Sequence, residues 1–176
     1  MSRLLLLSVP AALLGFTSAA TPLLGAPYLP QTTLTSSFCR AARCPDVKPV
    51  LTGDKFADAS ELFRVYRYPL NLAGTGIILA ELTARTRPDG RLDVLKFEFL
   101  VPIRRGVQAA RPILNDWLRL AGLPASAAQA CLQTLDRAST AALKGLPSTL
   151  EGSCTAENGR AGYRIVRFAV SLKDTL

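Results

Sequence analysis

Residues 77–101 read Ile-Ile-Leu-Ala-Glu-Leu-Thr-Ala-Arg-Thr-Arg-Pro-Asp-Gly-Arg-Leu-Asp-Val-Leu-Lys-Phe-Glu-Phe-Leu-Val. Two runs of strand-forming residues flank Pro88-Asp89-Gly90, which predicts a β-hairpin from Ile77–Thr86 and Leu92–Val101. Its register is set by two competing features. A two-residue Asp89-Gly90 turn pairs Leu82 with Phe97 and Ala80 with Phe99, and it gathers Ile78, Ala80, Leu82 and Ala84 on one face with Leu95, Phe97, Phe99 and Val101. Pro88, however, has no N–H to close that turn. A type I turn on Pro88-Asp89 with Gly90 in a left-handed bulge suits these residues better and moves the pairing by one. A one-residue slip turns every side chain to the opposite face, so burial is expected to set the register and a bulge to absorb the difference.

Working outward from the hairpin, Arg64–Tyr68 reads as a strand ended by Pro69, and Asn71–Gly76 as a flexible connection. Gly53-Asp54 opens a short helix, with Asp54 as its cap and Phe56, Ala59 and Phe63 at helical spacing. Residues 21–50 read as an irregular arm, because Pro22, Pro27, Pro30, Pro45 and Pro49 interrupt it and Gln31–Ser37 is polar. On the other side, Pro102 closes the hairpin. A helix follows over Pro112–Ala121, extending back towards Gly106 with a bend at Pro112, and its stripe is Ile113, Leu114, Trp117, Leu118 and Ala121. Gly122-Leu123-Pro124 supplies a left-handed cap, an apolar contact and a breaker. A second helix is expected from Ser126, with Gln129 completing a capping box, to Lys144, where Gly145-Leu146-Pro147 repeats the stop. The two form an αα-hairpin. Residues 146–162 then read as a loop, and Tyr163–Lys173 as a last strand with Val166, Phe168, Val170 and Leu172 inward. The order β-β-β-α-α-β predicts an α+β fold over 51–176, an antiparallel sheet with the helical pair packed on one face.

The chain opens with Arg3, an apolar run over Leu4–Phe16 and small residues at Thr17–Ala20. That order is the one found in a secretory signal, and cleavage is expected after Ala20. Thirteen helical residues span about 20 Å, short of a hydrocarbon core of about 30 Å, so the run is not read as an anchor. No later stretch has the length of a spanning helix, and a soluble mature chain in the periplasm or outside the cell is expected. Four cysteines in an exported chain are expected to be oxidised. Cys39 and Cys44 enclose four residues and close locally, leaving Cys131 for Cys154. The paired spacing of a zinc knuckle is missing around Cys131 and Cys154, so no metal is assigned. The usage of Ala, Leu, Pro and Arg suits a GC-rich bacterial genome.

The charge is 21 Lys+Arg against 13 Asp+Glu, formally +8, of which Arg3 contributes one. This suits an anionic macromolecule or a cell-envelope component as partner, such as nucleic acid, acidic polysaccharide or phospholipid head groups, with a solubility charge spread over the surface as the alternative. The cations fall in small groups, Arg40 and Arg43, Arg64 and Arg67, Arg85 with Arg87 and Arg91, Arg104 and Arg105, Arg160 with Arg164 and Arg167. No group is long enough to hold a polyanion alone.

The chain has no histidine, which removes Ser-His-Asp and Cys-His catalysis and the two-histidine zinc helix. Gly74-Thr75-Gly76 lacks the third glycine and the following helix of a dinucleotide fingerprint, so no cofactor is assigned. Ser139 with Lys144, and Ser171 with Lys173, lack the spacing of a Ser–Lys dyad. Glu81 and Glu98 face each other in the apolar-face register. Paired carboxylates of this kind can share a proton or act as a glycosidase-like acid and base, whereas Lys96 beside them would make them a neutralised surface pair. Arg64, Tyr66, Arg67 and Tyr68 combine aromatics with arginines and are the best recognition candidate, with an edge strand protected by arginine as the alternative. The expectation is a non-catalytic exported binding domain. Its alternatives are a histidine-free hydrolase built on Glu81 and Glu98, and an interaction module presenting the Cys39–Cys44 loop.

Overall fold

The computed structural model describes residues 23–53, 62–72, 75–137, 139–159 and 162–173. The expected secretory signal, the helix opening at Asp54 with Phe56 and Ala59, Gly74 and Arg160 lie outside them. Two short helices, α1 (Pro30–Leu34) and α2 (Ser37–Ala42), precede strands β1 (Val50–Thr52), β2 (Phe63–Leu70), β3 (Ala80–Thr86) and β4 (Leu92–Pro102). Then come α3 (Arg111–Leu120), α4 (Gln129–Thr134), β5 (Thr140–Ala142), β6 (Leu150–Asn158) and β7 (Tyr163–Leu172). The seven strands form one antiparallel sheet in the order β1-β2-β3-β4-β7-β6-β5. The fold is α+β, with more strands and shorter helices than the sequence suggests.

The hairpin satisfies both of its competing features. At the tip, Gly90 N–H donates to Arg87 O and Arg87 N–H to Arg91 O, both at 2.9 Å, and Gly90 has φ 82°. That is the type I turn with a left-handed glycine. Thr86 pairs with Leu92, but Arg85 pairs with Val94. Asp93 is therefore an extra residue, and it shifts the ladder back so that Leu82 meets Phe97 and Ala80 meets Phe99. Asp93 is buried and takes Arg85 in a two-pronged bond, Nε–Oδ1 3.2 Å and Nη2–Oδ2 2.8 Å.

One face of the sheet is thereby apolar. Leu82, Ala84, Leu95, Phe97, Phe99, Val101, Val166, Phe168 and Val170 are all buried there. Against it lies the stripe of α3, with Ile113, Leu114, Trp117 and Leu118 buried. The Trp117 ring is 6.5 Å from Phe97 and 6.1 Å from Phe168, and Phe38 of α2 meets Phe97 edge-on at 5.4 Å. The end of α3 has the expected cap. Leu123 N–H donates to Leu118 O at 2.8 Å and Gly122 N–H to Arg119 O at 3.1 Å, with Gly122 at φ 73°. Short 3₁₀ turns at Ile103–Arg105 and Val107–Ala110 precede the helix, in place of a bent extension of it.

Four expectations are corrected. Residues 21–50 are not an irregular arm: Pro30 sits in the first turn of α1, where its fixed φ suits a helix start, and Ser36 caps α2 by accepting from Cys39 N–H at 3.1 Å. Strand β2 runs through Pro69 to Leu70, because β1 covers only Phe63–Val65 and the missing N–H falls where no neighbouring strand needs it. The second helix does not reach Lys144. Ala125–Ala128 is a 3₁₀ turn and α4 ends at Thr134, after which Thr140–Ala142 is an edge strand. The Gln108 amide takes Leu132 O at 2.7 Å and the Arg164 guanidinium takes Leu135 O at 2.9 Å, so two of the carbonyls that would carry the helix onward are already used. The second Gly-Leu-Pro therefore does not end a helix, and α4 makes no long αα-hairpin with α3. Finally, most of the expected loop 146–162 is strand β6, with Leu150, Cys154 and Ala156 buried. Gly152 lies under Leu143 and Leu146, where an added Cβ would come within 2.7 Å of Leu143 Cδ1.

Candidate functional site

Glu81 and Glu98 stand directly opposite each other on the sheet face away from the helices. Pro69, Leu79 and Leu100 complete a shallow depression of about 290 Å³ around them. Glu98 Oε2 accepts from Lys96 Nζ at 2.9 Å and Arg167 Nε at 2.7 Å, while Arg167 Nη1 reaches Glu157 Oε1 at 2.7 Å. Glu81 accepts from Thr83 Oγ1 at 3.1 Å. Partial burial pushes the Glu98 carboxyl up, but the hydrogen bonds and charges of Lys96 and Arg167 outweigh it and hold the group below the ordinary carboxylate range. A general acid needs the opposite shift. The arrangement is an ion-paired Glu98 on the sheet surface with Glu81, bonded to Thr83, opposite it.

A measurable consequence follows from that direction. A carboxylate held low when folded adds stability that is present above its unfolded pKa and disappears as pH falls through the folded one. Glu98→Gln is therefore expected to weaken the protein near neutral pH and to flatten its loss of stability below the ordinary carboxylate range. Urea midpoints of the two proteins across acid pH check this; parallel curves would mean that Glu98 is unperturbed.

The four recognition candidates do not form one surface. Tyr68 is fully buried, its hydroxyl 2.9 Å from that of Tyr28, which lies 2.9 Å from Thr33 Oγ1. Burial first, and then the bond to Tyr28, pushes the Tyr68 phenol up, so it stays neutral as part of the core. Tyr66 packs on Tyr28 at 5.0 Å between ring centres. Arg64 shares their side of β2, while Arg67 is exposed on the other side. Strand alternation separates Arg67 from the rest, and the N-terminal segment, which sequence reading left irregular, covers the tyrosines.

Both disulfides join the expected partners, Cys39 to Cys44 and Cys131 to Cys154. The first is not a free presenting loop. Phe38, Cys39 and Ala42 are buried, leaving Arg40, Ala41 and Arg43 exposed. The bridge spans the cap of α2, where Arg43 sits at φ 51°, ψ 50°, a left-handed conformation that glycine normally fills. Among the described residues it alone is a non-glycine with positive φ.

Arg43 lines a cleft of about 250 Å³ between α2, the connection after β2 and the first turns of α3. Its other walls are Ala41, Asn71, Leu72, Thr75, Pro112, Ile113 and Asp116, and Arg119 pairs with Asp116 at 3.1 Å. Arg105 lies over Gly76, next to Thr75, so close that a Cβ on that glycine would be 2.6 Å from its Nη1. Exposed Arg40 and Arg104 are sequence neighbours of Arg43 and Arg105, and exposed Arg111 precedes Pro112 but lines a separate depression with Asn115 and Gln129.

Comparison with protein-family models, curated proteins and solved structures finds no match. The chemistry therefore has to be read from the chain itself. Among the described residues no group of three or more His, Cys, Asp or Glu side chains is placed to hold a metal, and no helix is long and apolar enough to cross a membrane. The pairing of Arg43 with Arg105 at this cleft was missed by sequence reading because the two come from separate segments, and only the fold draws them together.

Proposed function

We propose that this is an exported, non-catalytic binding domain whose partner is anionic and is held at the arginine rim around the α2–α3 cleft. The observation that carries the proposal is the segregation of charge. On the sheet face away from the helices most cations are answered locally, Arg85 by Asp93, Lys96 by Glu98, and Arg167 by Glu98 and Glu157, with Arg67 the exception. At the cleft, Arg43 and Arg105, with their sequence neighbours Arg40 and Arg104, form no ion pair with any described carboxylate, and neither does Arg111 at the start of α3. Lys48, Arg64, Arg67, Arg137, Lys144 and Lys173 are also unpaired, but they come from scattered segments. Uncompensated guanidinium groups on a low-dielectric wall attract anions and accelerate their encounter. The two disulfides fit maturation in an oxidising compartment.

Arg43 offers a test that separates binding from folding. Arg43→Gly removes a cation but places the residue best suited to a left-handed cap. Stability is expected to rise by about 1 kcal/mol, while affinity for a polyanion falls, more so when Arg105→Ala is added. Heparin or DNA binding followed against salt checks this. Affinity indifferent to salt, or to both substitutions, overturns the proposal.

A further inference from the structure

The rim has an apolar neighbour. Among the described residues, Ile78, Leu79 and Ile103 are large apolar side chains left 50%, 63% and 43% exposed. They come from two adjoining segments. Ile78 N–H donates to Leu100 O at 3.0 Å and Leu100 N–H to Leu79 O at 2.8 Å, which holds residues 78–79 against the end of β4, three residues before Ile103. Arg104 and Arg105 follow Ile103 directly and are exposed, and Arg105 reaches back over Gly76. Tyr163, half-buried, borders the same end beside Pro102 and Arg104. Exposed aliphatic side chains, an aromatic and unpaired arginines thus lie near one end of the sheet, with Leu79 also bordering the depression that holds Glu81 and Glu98.

We infer that this end seats the domain on an anionic phospholipid surface, with Ile78, Leu79 and Ile103 entering the boundary below the head groups and Arg104 and Arg105 pairing with lipid phosphates. The inference deepens the anionic-partner proposal and rests on it. A soluble polyanion would use the arginines but has no use for the aliphatic side chains. A neutral protein partner would use the aliphatic side chains but has no use for uncompensated charge. A lipid interface uses both, since buried apolar area and attraction to anionic head groups add in interfacial binding.

The experiment is co-sedimentation of the full mature protein with vesicles of phosphatidylglycerol and phosphatidylcholine, against phosphatidylcholine alone, with heparin binding measured in parallel. Partitioning onto the anionic vesicles only is expected. Leu79→Ser with Ile103→Ser should weaken it by about tenfold and leave heparin affinity unchanged, and both positions are exposed, so the fold is retained. Arg104→Gln with Arg105→Gln should weaken both interactions. If the serine variant binds anionic vesicles as the parent does, or neutral vesicles bind equally, the lipid seat is wrong while the anionic-partner proposal stands. If neither anionic vesicles nor heparin bind at low salt, both fail together.

Discussion

Trp117→Ala is expected to cost about 3–5 kcal/mol, enough to unfold much of a domain of ordinary stability. Trp117 is fully buried where α3 meets the sheet, within aromatic contact of Phe97 and Phe168. These rings come from β4, the central strand of the sheet, and its neighbour β7, so removing the indole opens a void where the helix and both strands converge. Interiors are close-packed and relax only in part around such a void. A second substitution makes the account specific. The Trp117 Nε1–H is buried with no acceptor among the described residues. An unpaired buried donor is itself destabilising by about 1–3 kcal/mol, so Trp117→Phe loses volume but also removes that penalty. It is expected to stay within about 2 kcal/mol of the parent. Trp117 is the only tryptophan, so unfolding of both variants has to be followed by far-ultraviolet circular dichroism rather than fluorescence. Equal losses in the two variants would mean that the ring's bulk is not what α3 contributes.

The parts legible in the sequence are those whose burial is written in large residues. Alternating Leu and Phe in the hairpin and in Val166, Phe168 and Val170 are strong enough to set the register, even against the turn chemistry of Pro88-Asp89-Gly90. The stripe and glycine stop of α3 are equally plain. What was hidden is written in small or polar residues. Strand β6 buries Leu150, Cys154 and Ala156 with Gly152 between them, an alternation that reads as a loop because little of it is bulky or β-branched. Helix α4 stops where Gln108 and Arg164 take its onward carbonyls, and both residues lie far from it along the chain. In the site, the pairing of Glu81 with Glu98 was legible because strand register fixes it. The arginine rim was not, since it depends on how α2 meets α3, and no local pattern encodes that.

The Cys131–Cys154 bridge should matter more than its partner. It closes a loop of 23 residues against 5 for Cys39–Cys44, and loop-closure entropy alone gives about 3 kcal/mol for the first and about 2 kcal/mol for the second. Position widens the gap. Helix α4 has only six residues, too few to persist without tertiary support, and its buried Cys131 is fastened to Cys154 in the middle of β6. That one bond holds α4 over the sheet and helps keep β5 at the edge, where Ala141 pairs with Cys154. Replacing both Cys131 and Cys154 by alanine is expected to lower stability by about 3 kcal/mol or more, read as a shift in the guanidinium midpoint. Replacing Cys39 and Cys44 should shift it less, because α2 keeps Phe38 and Ala42 in the core. Reducing the parent protein in denaturant and refolding it with the thiols blocked removes both bridges and should lower stability by more than either double substitution alone. If both bridges can be removed with no shift in midpoint, the sheet and its helices hold together without them, and the case for a fold suited to an oxidising compartment loses its physical basis.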